Sequence, residues 1–131
     1  MNERPTILIV DDEPFNIAVL EQELDDLGYD TISAANGQAA VDQVLSEAPD
    51  LVLLDIMMPV MDGFAVLSRL KASPVTRDIP VIIISAYKLD VNDFDLKPSV
   101  ILEKPFHVAE LLDLVGLFCG LGTPMAPART T

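Results

Sequence analysis

The chain has a single cysteine and no tryptophan among its 131 residues. One thiol, Cys119, excludes an internal disulfide and supplies no thiolate pair for a metal. It falls on the apolar face of the last expected helix, which reads as a packed, inert thiol. Basic residues are scarce: 8 Lys and Arg stand against 21 Asp and Glu, a formal net charge of −13. A surface this acidic repels phosphate backbones and anionic membranes, so direct nucleic-acid or membrane binding is not expected. Long apolar runs are missing too. None approaches the roughly 18 residues that a membrane span needs. The amino-terminal MNERPTILIV lacks the long apolar core and cleavage site of a signal peptide. The expectation is a soluble, cytoplasmic protein.

What the chain does have is ample apolar material, 50% of its residues, in a length suited to one domain. Three short runs stand out: Ile7-Leu8-Ile9-Val10, Leu51-Val52-Leu53-Leu54 and Val81-Ile82-Ile83-Ile84. Apolarity that is continuous rather than alternating marks strands covered on both faces, as in a parallel sheet flanked by helices. Weaker strand candidates are Thr31–Ala34 and Val100–Leu102. Between the runs the period turns helical. Ile17, Leu20, Leu24 and Leu27 form one stripe, with Gly28 placed to end it. Val41, Val44, Leu45 and Ala48 form a second, stopped by Pro49; Phe64, Leu67 and Leu70 mark a third, with Asp62 as N-cap. Val108, Leu111, Leu112, Val115 and Phe118 give the last, closed by Gly120 and Gly122.

Strands alternating with helices predict an α/β fold, a doubly wound five-stranded parallel sheet in the flavodoxin-like order 2-1-3-4-5, with helices on both faces. Between the fourth and fifth strands, residues Lys88 to Ser99 hold Asp90, Asp93, Asp95 and Pro98 and little apolar periodicity, so the fourth of five helices is expected to be short or irregular. The Asp90–Asp95 stretch reads as a solvated loop. The folded domain is expected to span residues 1–121, followed by a Pro- and Ala-rich disordered tail or linker start at 122–131.

In such a sheet, ligands bind beyond the carboxyl ends of the strands. Four of the five expected strands end in polar groups: Asp11 and Asp12, then Asp55, Ser85, and Lys104 after Glu103. The strand order brings strands one, three and four side by side. Carboxylates a few ångström apart repel by ~1–4 kcal/mol per pair near a surface, unless a cation lies between them. Oxygen ligands without His or Cys favour Mg²⁺ (or Mn²⁺) over zinc. A divalent cation, a carboxylate nucleophile, a lysine and a hydroxyl together make a phosphoryl-transfer constellation. Each residue alone has a plainer reading: Asp11-Asp12 as a helix-capping pair, Asp55 as a strand-end turn residue, Ser85 as a loop hydroxyl and Lys104 as a solvated charge. His107 reads as lying near the start of the last helix, and Met57, Met58 and Met61 as loop packing.

The segments ILIVDDEPFN (Ile7–Asn16), LVLLDIMMPVMDGF (Leu51–Phe64), VIIISA (Val81–Ala86) and EKPF (Glu103–Phe106) resemble the receiver domain of two-component response regulators. The resemblance runs from about Thr6 to Leu121. It implies that Asp55 accepts a phosphoryl group from a sensor histidine kinase or histidine phosphotransfer protein. It implies that Asp12 and Asp55 hold Mg²⁺ directly, with Asp11 acting directly or through water and the Met57 backbone carbonyl completing the protein ligands. Lys104 would pair with the phosphoryl oxygens and Ser85 would hydrogen-bond to them. Lys104-Pro105 matches the family's cis peptide, and Gly63 the position that lets the loop after Asp55 turn. Slow Mg²⁺-dependent self-phosphorylation and dephosphorylation are expected, rather than turnover of a substrate. A downstream effector protein or domain, and a homodimer, are the other partners the resemblance allows.

Two departures stand against the pattern. Three residues before the lysine, relatives usually carry Tyr or Phe; here it is Ile101. The stretch between Ser85 and Lys104 is also shorter than usual and lacks the common Gly-Ala-Asp. Both favour, as an alternative, a receiver-like interaction module without phosphorylation-dependent switching. A haloacid-dehalogenase-type phosphatase, which also combines Asp, Mg²⁺, Ser or Thr and Lys, would need its nucleophile on the first strand in Asp-x-Asp. Here that strand ends Asp11-Asp12-Glu13-Pro14, with no cap domain.

Overall fold

The computed structural model describes residues 4–55, 63–86 and 98–119. Its elements are β1 (Thr6–Val10), α1 (Pro14–Asp26), β2 (Asp30–Ala34), α2 (Gly37–Glu47), β3 (Leu51–Asp55), α3 (Gly63–Ala72), β4 (Val81–Ser85), β5 (Val100–Glu103) and α4 (Val108–Cys119). The five strands form one parallel sheet in the order β2-β1-β3-β4-β5. That is the doubly wound order expected from the sequence.

The apolar runs are continuous because each strand is buried twice. Leu8, Val10, Val52, Leu54, Val81 and Ile83 face one core cluster, shared with Val41 and Val44 of α2 and Val66, Leu67 and Leu70 of α3. Ile7, Ile9, Leu51, Leu53, Ile82 and Ile84 face the other, with Leu20 and Leu24 of α1 and Leu111 and Val115 of α4. The side chains alternate with the two-residue period of a strand, so a purely apolar run is what a sheet with two covered faces requires.

Helix ends follow their local chemistry. Gly28, at φ 97°, closes α1 in the left-handed region. There the Gly28 N–H donates to Asp25 O at 3.0 Å and the Tyr29 N–H to Leu24 O at 3.1 Å, the paired bonds of a Schellman cap. Asn36 caps α2, its Oδ1 accepting from the Ala39 N–H at 2.9 Å. The Thr76 hydroxyl donates to Leu70 O, and Lys71 Nζ to Arg77 O and Ile79 O, so the turn after α3 has its carbonyls satisfied.

The helical stripes differ from expectation at Leu45, Ala48 and Phe118. Leu45 is 57% exposed, and Ala40 and Gly37 take the inner face of α2 with Val41 and Val44. At 100° per residue Leu45 lies roughly 90° from the centre of that buried stripe. Ala48 is not part of it either, having left the helix with φ 46°. Phe118, in the last turn of α4, is 38% exposed. Outside the described residues lie the expected irregular helix (apart from Pro98 and Ser99), the Asp62 cap, the loop methionines, the closing glycines Gly120 and Gly122, and the tail. Among the described residues, no helix is long and apolar enough to cross a membrane.

Candidate functional site

The carboxyl ends of β1, β3, β4 and β5 meet at one edge of the sheet. The parallel register sets Val10 beside Leu54, Asp55 beside Ile84, and Ser85 beside Glu103. Asp11 follows β1 directly, Asp55 and Ser85 are the last residues of β3 and β4, and Lys104 follows β5. The sheet therefore delivers these side chains to one cleft.

Carboxylate oxygens of Asp11, Asp12 and Asp55 all lie within 4.8 Å of one another, the only such acidic trio among the described residues. Asp11 and Asp55 are buried and Asp12 is exposed. Lys104 Nζ stands 3.6 Å from Asp55 Oδ2, an ion pair too long for a good hydrogen bond. Burial pushes the Asp11 carboxyl above the usual carboxylate range, and the neighbouring Asp55 charge pushes the same way. The Glu13 N–H, the Asn16 amide and Lys104 oppose that rise without cancelling it. Among the described residues, Lys104 set against three carboxylates leaves surplus negative charge in a confined space. The donor set is oxygen only, without His or Cys, which fits a hard divalent cation.

Ser85 is fully buried at the wall of this cleft. Its backbone carbonyl accepts from the Lys104 N–H at 2.7 Å, fastening the lysine's backbone to the end of β4. The Lys104-Pro105 peptide is cis, as the resemblance implied. Met57, whose carbonyl was expected among the cation ligands, lies outside the described residues. Gly63 is the first residue of α3. Ile101 is partly buried against the core cluster beneath α2 and α3. His107 precedes α4, where its N–H donates to Glu110 Oε1 at 3.0 Å, a capping interaction at the helix start.

The plain reading of Asp11-Asp12 as the helix-capping pair is corrected by the structure. The N-cap of α1 is Glu13, whose carboxylate accepts from the Phe15 N–H at 3.3 Å, while Asp11 Oδ1 accepts from the Glu13 N–H at 2.9 Å. Asp11 thus fastens the turn into α1 and still faces Asp12 and Asp55.

Sequence reasoning missed two features. Asn16 donates from Nδ2 to Asp11 Oδ2 at 3.4 Å. Its signal was its position, third in a helix that opens with Pro14, from which a side chain points back toward the strand end. The second is a groove of about 640 Å³ beside the cleft, lined by Phe15 and Val19 of α1, by Phe106 and Val108, and by the polar Asp11, Asn16 and Lys104. Phe15 is 71% exposed. An aromatic ring left in water next to a polar cleft was not legible, because the helical stripe of α1 was read only for its inner face.

Comparison with known proteins agrees with this geometry. The sequence matches the response regulator receiver domain over residues 7–116. It is 44% identical over 119 residues to sporulation initiation phosphotransferase F of Bacillus subtilis, covering 88% of this chain and 92% of that protein. It is 45% identical over 80 residues to response regulator PleD of Caulobacter vibrioides, covering 61% of this chain but only 18% of that longer protein. Among solved structures, the receiver domain of a sensor histidine kinase from Pseudomonas aeruginosa, with a magnesium ion coordinated in its active-site cleft, superposes with a TM-score of 0.81 at 31% identity, covering 89% of this chain and 98% of that one. A match that spans β1 to α4, on a fold whose strand ends gather an acidic cleft, has one meaning: this chain belongs to the response regulator receiver domain family.

Proposed function

We propose that Asp55 is the phosphoacceptor of a two-component signalling pathway, receiving a phosphoryl group from a histidine kinase or histidine phosphotransfer protein. The observation that carries this reading is the gathering of Asp11, Asp12 and Asp55 oxygens within 4.8 Å, with Lys104 Nζ at 3.6 Å from Asp55. An Asp55 carboxylate oxygen attacks the phosphorus of a phosphoimidazole. The new oxygen–phosphorus bond forms as the phosphorus–nitrogen bond breaks, and the electron pair leaves with the imidazole nitrogen. Lys104, already held beside Asp55, offers its ammonium to the transferring oxygens. Asp12 and Asp55 would hold Mg²⁺ (or Mn²⁺) directly, Asp11 directly or through water, and the Met57 carbonyl would complete the set. The ion's contribution when bound is to neutralise charge on the phosphoryl oxygens.

Phosphorylation adds about −1.5 to −2 charge and three acceptor oxygens beside Ser85. Ser85 is buried at the end of β4, and a local shift there would bring its hydroxyl to them. The phosphoryl group then biases a conformational equilibrium the chain already has. Ile101 lacks the ring that relatives use at this position, so the shift reaches the surface by a route other than an aromatic rotamer change. The groove beside the cleft supports a protein phosphodonor: its exposed Phe15 and Val19 give an apolar landing for a helix that presents its histidine to Asp55.

Incubation with Mg²⁺ and a small acyl phosphate tests this reading. Intact-mass measurement is expected to show one added phosphoryl group, lost in Asp55→Asn and absent when the cation is chelated. Equal labelling of Asp55→Asn, or none of the wild type, overturns it.

A further inference from the structure

We infer that Asn16 is a positioning residue for the acidic cleft, holding the Asp11 carboxylate in the orientation that a divalent cation requires. This rests on the proposed cation-binding role of Asp11, Asp12 and Asp55. Asp11 is buried, and both of its oxygens are engaged by the start of α1: Oδ1 accepts from the Glu13 N–H at 2.9 Å and Oδ2 from Asn16 Nδ2 at 3.4 Å. The Glu13 bond comes from backbone and exists whatever side chain stands there. The Asn16 bond is the one that a side chain supplies, and together they fix the rotation of the carboxylate about its Cβ–Cγ bond. Each oxygen keeps a second lone pair for a further ligand, and one Asp11 carboxylate oxygen lies within 4.8 Å of those of Asp12 and Asp55.

Helix geometry makes this possible. With Glu13 as N-cap and Pro14 first, Asn16 is the third helical residue, and its side chain leans back toward the strand end rather than onto the core. Asn16 also lines the groove beside Lys104, so it stands between the groove and the carboxylates. A donor is needed at this point. Asp11 is buried and lies within 4.8 Å of a second carboxylate, Asp55, so without a compensating donor like-charge repulsion would turn it away. An amide does this without adding charge that would compete with the cation.

The test is Mg²⁺ titration of the whole chain, followed by amide chemical shifts at Val10, Asp11 and Asp55, in wild type, Asn16→Leu and Asn16→Ala. Leu keeps the branching of Asn at Cγ without its donor; Ala removes both. Each variant is expected to need at least threefold more Mg²⁺ for half-saturation, while its urea midpoint without Mg²⁺ stays close to wild type. Wild-type affinity in Asn16→Leu overturns the inference even if Asn16→Ala is weakened, because packing and not the amide would then be responsible. If the wild type itself shows no saturable Mg²⁺ binding, the cation-site reading falls and this inference falls with it.

Discussion

At the scale of single residues, the cleft is a place where function works against stability. Asp11 and Asp55 are buried together, and burial with the neighbouring Asp55 charge raises Asp11 above the usual carboxylate range although Lys104 stands close by. Stability is spent here to keep carboxylates ready for a cation and a phosphoryl group. Far from the cleft, two other groups dislike charge for simpler reasons. Burial pushes the Tyr29 hydroxyl up to about 12 and the Cys119 thiol up to about 11. The Tyr29 hydroxyl also finds no hydrogen-bond partner among the described residues. Both folded values lie above the unfolded ones, so the stability they confer is complete below pH 9.0, where neither titrates in the unfolded chain, and is lost as pH rises through about 11 and 12. The urea midpoint of the wild type is therefore expected to fall across that alkaline window, and the Tyr29→Phe/Cys119→Ala double variant to fall less. Parallel pH profiles would refute the assignment. The same burial makes Cys119 the inert thiol that its place on an apolar helical face implied.

At the scale of elements, the caps decide where helices stop, and one of them is strained. Ala48 ends α2 at φ 46° and ψ 62°, with its N–H bonded to Val44 O. For a residue with a Cβ, the left-handed region costs roughly 1–2 kcal/mol, partly offset if glycine replaces it because glycine loses more freedom on folding. Ala48→Gly is thus expected to raise stability by about 0.5–1 kcal/mol, read as a higher urea midpoint with unchanged slope. A lower midpoint would show that the methyl group is favourable here. The α1 terminus shows the opposite case, since Gly28 already occupies its left-handed position. Gly28 could be read in the sequence because glycine announces such a site. Ala48 could not, because alanine is the best of helix formers and its apolar side chain extends the stripe by spacing. Leu45 escapes the pattern with it, since apolar identity alone does not say on which side of a three-turn helix a residue lies.

At the scale of the whole molecule, the charge balance and the sheet act together. A net charge of −13 repels itself, most of all where the strand ends crowd carboxylates into one cleft. Raising NaCl from ~0.01 M to ~0.2 M shortens the screening length several-fold and is expected to raise the thermal midpoint. MgCl₂ at matched ionic strength is expected to raise it further, by the mass-action stabilisation of a bound ligand. Equal midpoints in the two salts would show that the acidic cleft gains nothing from a specific cation. Much of this molecule was legible before folding. Three continuous apolar runs meant strands covered on both faces, their alternation with helical stripes meant a parallel sheet, and polar residues at four strand ends meant one cleft, because side-chain period and crossover handedness leave little choice. What only the tertiary structure decided are relations across space: the 3.6 Å between Lys104 and Asp55, the burial of Ser85, the Asn16 amide on Asp11 and the apolar groove beside them. Those depend on how helix ends and strand ends approach one another. Local sequence specifies each end separately, and packing alone sets the distance between them.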